Sequence, residues 1–186
     1  MKAQQRLPAF DAGAMSQQQR QVLDDILSGP RGNLDGPFLG WIHSPELAGH
    51  AQELGAFCRY RTGLPPKLSE LAILVTAAKW RCQAEWHIHY PIAIAAGLDA
   101  RLAEALRGGA EPAALDHDER LVWTFATELY DSKRVGDATY AALVDRFGLQ
   151  VAVNLAALLG YYSLVAMTLN VFNMRAEGQQ ELPFED

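Results

Sequence analysis

The chain has 186 residues, 49% of them hydrophobic, which is enough to bury one sizeable core, and no composition shift calls for a second. A formal net charge of −6, a pI near 5.3 and no Lys/Arg cluster exclude the electrostatic footprint of a nucleic-acid binder, so small molecules and other protein chains are the expected partners. Cys58 and Cys82 form neither a disulfide framework nor a C-x-x-C pair, and the opening "MKAQQRLPAF" lacks the apolar core of a signal peptide, which together predict the reducing cytoplasm.

Helix signals recur along the chain, and no segment shows the alternation of a half-buried strand, so the expected class is all-α. Ser16, with Gln19 three residues on, forms a capping-box start for a first helix that Gly29 and Pro30 end. A Gly/Pro-dense loop at 29–44 follows, carrying Phe38, Trp41 and His43, and its composition suits a segment that folds over a pocket or reaches a neighbouring chain. Ser44 then Pro45 marks the next helix start, with Leu47, Ala51, Leu54 and Phe57 at helical spacing up to Gly63. A helix after Pro66 is apolar all round from Leu71 to Val75 and belongs in the middle of the core.

A turn at Trp80 and Arg81 leads into the helix bearing Cys82, which is expected to stop at Gly97; Pro91 inside it cannot donate to the carbonyl of His87. Asp99 caps a short helix, "DHDERLVWTFATELY" reads as an amphipathic one, and Asp137 is the expected cap of the next, which ends at Gly148. The last helix is uncharged from Phe147 to Met174 and long enough to cross a bilayer. Asn154, Tyr161, Tyr162, Ser163, Thr168 and Asn170 are spread along it, which favours a helix buried in the domain or against another subunit. The expected organisation is an N-terminal helix and loop at 1–36, a helical domain at 37–174 built from about eight helices in hairpins, and a polar tail at 175–186.

The stretch "KWRCQAEWHIHY" places Cys82, Glu85 and His89 within an arc of roughly 60° on one helix face, with His87 well round from it. A carboxylate and an imidazole at i, i+4 are spaced to hydrogen bond, which sets the tautomer and raises the basicity of the ring. Glu70, on the preceding helix, is the expected second carboxylate, giving two acids with separated pKa values suited to proton transfer beside a carbonyl. A buried polar network that only ties helices together is the structural alternative. A metal reading would draw Glu85 and His89 together with His43, His50 or Glu70, but no H-E-x-x-H, paired His ligands or acidic loop accompanies it, so no metal is expected. Cys82 near a helix start favours a lowered pKa, with the neighbouring carboxylates opposing. Trp86 is the preferred aromatic pocket wall, His43 the histidine outside the motif assigned to substrate, and Arg59, Arg61 and Arg81 are candidates for a substrate carboxylate.

Written as Glu70-x11-Cys82-x2-Glu85-x3-His89, this segment resembles the carboxymuconolactone decarboxylase superfamily, which includes alkylhydroperoxidase D with its pattern E-x11-C-x-x-C-x3-H. Glu85 replaces the second cysteine, so the resemblance does not carry over the disulfide cycle of the peroxidase branch. "EWHIH" instead resembles the E-x-x-x-H of the decarboxylase branch. The resemblance implies an alkylhydroperoxidase D-like helical bundle and homo-oligomers (trimers, hexamers or related rings), with Trp41, Tyr161 or Tyr162 expected at the contact. The expectation is a cofactor-free enzyme acting by proton transfer or decarboxylation on a small organic acid or lactone, with His89 as base or acid, Glu85 its orienter and Glu70 the second proton carrier. A thiol peroxidase through Cys82, and a non-catalytic binding or assembly module, are the alternatives.

Overall fold

The computed structural model describes residues 5–8, 10–30 and 32–185; Arg31 of the expected loop and the first four residues of the N-terminal segment lie outside these. Among the described residues the fold is all-helical: α1 (Gln17–Ser28), α2 (Phe38–Trp41), α3 (Pro45–Tyr60), α4 (Pro66–Lys79), α5 (Gln83–Ala95), α6 (Ala100–Arg107), α7 (His117–Ser132), α8 (Asp137–Phe147) and α9 (Leu149–Val171), preceded by a 3₁₀ turn at Ala12–Ala14. Ten successive residues of α4, Leu68 to Ala77, are buried, and α5, α6, α7 and α9 pack around them. A helix with no polar face is stable only where neighbours cover every side, which is why α4 is the axis of the fold.

Local chemistry accounts for most boundaries. Ser16 and Gln19 make the expected reciprocal capping box, and Asp116 with Glu119 makes another at the start of α7. Asp99 accepts from the Arg101 N–H, whereas Asp137 is the first residue of α8 rather than its cap, because Gly136 takes that position and its N–H goes to Glu128. Two differences from the sequence expectation bear on the site. Four residues of the 29–44 loop form α2, which buries Phe38 and Trp41 instead of presenting them to a partner. Cys82 is the extended N-cap of α5, not a member of its helical face.

The long helix α9 is held by its polar residues. Asn154 donates to the Thr62 carbonyl, Asn170 to that of Trp80, and Thr168 accepts from the Trp41 indole at 3.0 Å. Ser163 and the Leu159 carbonyl share the Tyr130 hydroxyl, which also meets Thr76, so one polar chain ties α4, α7 and α9. At the other end of the chain, the tail folds back over the start of α5. Phe184 packs edge-on against Trp86, and its backbone exchanges two hydrogen bonds with the Gln83 side chain.

Candidate active site

Glu70 lies in the second turn of α4, and His89 in the second turn of α5. The crossing of these helices brings Nδ1 of His89 to 2.7 Å from Oε2 of Glu70, with both side chains almost wholly buried. With Glu70 ionised, Nδ1–H donates to it, the tautomer is set and Nε2 is the basic nitrogen. This corrects the expected pairing, because Glu85 shares a helix face with His89 but does not orient it.

Glu85 is only 1% exposed, and neither carboxyl oxygen receives a hydrogen bond from a described residue. Burial pushes its pKa well above the carboxylate range, while the nearby Cys82 thiol lowers it slightly without reaching hydrogen-bond geometry. Desolvation thus favours the protonated form of Glu85, which lines the same cavity as His89. The residue that sequence reasoning missed is Tyr162 of α9. Its hydroxyl is buried without a hydrogen bond, burial pushes its pKa up, and its ring stands edge-on to His89 at 5.1 Å between centroids. The signal was present in the spacing Leu155, Leu158, Tyr162, Val165, Leu169, which puts Tyr162 on the buried face.

Glu85, His89 and Tyr162 line one cavity of about 20 Å³, roofed by Asp35, Gly36 and Pro37 of the loop before α2 and flanked by Arg59, Ile88, Tyr161, Val165 and Leu169. That is room for one water-sized group. Gly36 has φ +111, a backbone conformation open to glycine that lets the roof turn down onto the site. The expectation that the loop covers a pocket thus holds for residues 35–37.

Three expected site residues fall elsewhere. His43 is exposed and lines a separate depression with Leu7, Phe10 and Gln19, because α2 directs the chain away from Glu85. Trp86 is buried between Tyr90 and Phe184, outside the cavity lining. Cys82 is fully buried and does not line the cavity; burial first, and second the charge that Glu85 carries once ionised, raise its pKa far above that of a reactive thiol, contrary to the lowering expected near a helix start. Cys58 is likewise buried, its thiol pushed up to about 11. Among the described residues no group of three or more His, Cys, Asp or Glu is arranged to hold a metal ion.

Residues 45–128 match the carboxymuconolactone decarboxylase family, a span that includes Arg59, Glu70, Cys82, Glu85 and His89 but not Tyr162 or the roof. The fold is also that of an uncharacterized peroxidase-related protein from Ralstonia eutropha JMP134 with an alkylhydroperoxidase AhpD core, at a TM-score of 0.77 and 20% identity over 94% of this chain and 93% of that one. No curated protein matches the chain in sequence.

Proposed function

For a chain that carries a carboxymuconolactone decarboxylase family segment at residues 45–128, we propose cofactor-free acid–base catalysis on a small organic acid or lactone, by proton transfer or decarboxylation. The observation that carries this reading is the placement, at one cavity, of a buried acid whose desolvation favours its protonated form, Glu85, beside an imidazole whose Nδ1 is held by Glu70. In proton transfer, Nε2 of His89 takes a proton from the carbon beside a carbonyl. The electron pair moves onto the carbonyl oxygen, which accepts hydrogen bonds from the Glu85 carboxyl and the Tyr162 hydroxyl, and the imidazolium returns the proton to carbon. In decarboxylation the same oxygen receives the pair released as CO₂ departs, and the proton ends on the carbon that lost it.

A thiol peroxidase through Cys82 is supported by the peroxidase-related description of the Ralstonia eutropha protein, and opposed by the burial and raised pKa of that thiol. Two measurements separate the readings. A panel of γ-lactones and keto acids followed by NMR in D₂O reads both deuterium uptake and decarboxylation, and Cys82→Ser is expected to keep wild-type turnover per folded molecule. Loss of turnover in that variant, or oxidation of Cys82 by stoichiometric hydroperoxide in intact-mass spectra, reverses the ranking. A chain that binds members of the panel and converts none is the non-catalytic module.

Assembly is part of the same proposal. Trp41, Tyr161 and Tyr162, the residues first assigned to a subunit contact, are buried in their own chain. The open face of α9 is instead Leu149, Val153, Ala156, Gly160, Met167 and Val171, an uncharged stripe about 35 Å long with open space beside Gly160. Half of this helix's most apolar window is buried against its own bundle, which suits a second copy of the chain better than lipid all round. Light scattering is expected to show an oligomer that Val153→Glu shifts toward monomer. A wild-type monomer at micromolar concentration would sink the idea, and partition into vesicles would replace it with a membrane.

A further inference from the structure

Beyond the inner cavity lies a depression of about 270 Å³ lined by Asn33, Asp35, Arg59, Tyr60, His87, Ile88, Pro91, Ile92, Ala176 and Glu177. Asp35, Arg59 and Ile88 line both spaces, so they form the neck between them. The outer space falls at the small end of ligand pockets, a size for a metabolite of a few carbons.

Arg59 is the charged residue at this neck that is withdrawn from solvent; Asp35 and Glu177 are exposed on the rim. It makes no ion pair with any described residue, and its guanidinium carbon stands 5.7 Å from the centroid of the Tyr60 ring. A half-buried cation with no counter-charge among the described residues is unusual, since desolvation costs most where nothing offsets it. Its field extends inward, because its positive charge acts on the Tyr162 hydroxyl against the rise caused by burial. The guanidinium fork matches a carboxylate in two parallel hydrogen bonds.

We propose that Arg59 anchors the carboxylate of the substrate at the neck, so that a small monoanionic oxo acid or lactone acid presents its uncharged carbonyl oxygen to Glu85 and Tyr162 in the inner cavity. This rests on the reading of that cavity as the reaction site. The one-water size of the inner space selects a single oxygen over a hydrated carboxylate, and the negative rim of Asp35 and Glu177 disfavours a second charge. Arg59 is thus a specificity-determining residue, and the order of the two chambers sets which end of the molecule reacts.

The test uses 4-oxopentanoate as probe and 2-pentanone as its neutral counterpart, titrated calorimetrically and by the NMR signals of His89 and Tyr162. Wild-type protein is expected to bind the acid and shift both signals; Arg59→Met should weaken that binding about tenfold or more and leave the ketone unchanged, with Arg59→Lys between. Equal affinity for acid and ketone, or an Arg59→Met protein of wild-type melting behaviour that keeps full affinity for the acid, overturns the anchor. Failure of the catalytic reading looks different, since binding would then depend on Arg59 while no member of the lactone and keto-acid panel turned over.

Discussion

His89→Gln is expected to lower turnover by about 10²-fold or more, with Glu70→Gln following it by a smaller factor and a displaced pH profile. Glutamine keeps much of the volume of histidine but cannot take up a proton, so the loss reads the proton transfer itself. Glu70→Gln leaves the imidazole in place and removes the charge that holds Nδ1–H at 2.7 Å, which lowers the basicity of Nε2 and frees the other tautomer. Initial rates of deuterium uptake across pH, on the substrate with the fastest wild-type turnover, distinguish the two effects. A merely structural role for the pair would change melting temperature without moving the pH profile of the protein that remains folded. Wild-type rates in His89→Gln would end the acid–base proposal.

The second large effect is on stability, and its sign follows from the direction of the Glu85 shift. Burial raises the folded-state pKa of Glu85 well above its ordinary value of 4.5, so the native state keeps a proton that the unfolded chain releases. Below about pH 4.5 both states are protonated and the group costs nothing through ionisation. Above it, native stability falls by up to about 1.4 kcal/mol per pH unit until the folded pKa is passed. Glu85→Gln removes this titration while keeping the shape of the side chain. The difference in unfolding free energy between variant and wild type is therefore expected to grow in favour of the variant as pH rises above about 4.5. Urea melts at three pH values measure it. Parallel curves for the two proteins would mean that Glu85 is ionised in the native state, and the neutral acid of the proposed mechanism would be lost with it.

These two predictions involve residues that spacing singles out, of which the structure joins His89 to Glu70 and not to Glu85. Glu70, Glu85 and His89 stand out through spacing alone, and α4 declares its central place by having no polar face from Leu71 to Val75. Helical periodicity says only that Glu85 and His89 share a face. Whether they touch depends on where the neighbouring helix puts Glu70, and a hydrogen bond to a second helix displaces the local pair.

Sequence by itself determined the all-helical class, the capping box that starts α1 and the end of α5 before Gly97, because such features act through backbone groups within one or two turns. It also indicated that α9 needs shelter, since its uncharged length offers little to water, and half of its most apolar window is buried in this chain. Only the tertiary structure decided that Cys82 sits as a buried N-cap outside the cavity, that His43 faces another surface, and that Tyr162, 73 positions beyond His89 in the chain, lines the same cavity as His89. The same holds for Glu85: its place one turn from His89 is local, but the upward shift of its pKa arises from burial by every element packed round it. Desolvation is the sum over every element packed against a group, and no window of sequence contains that sum.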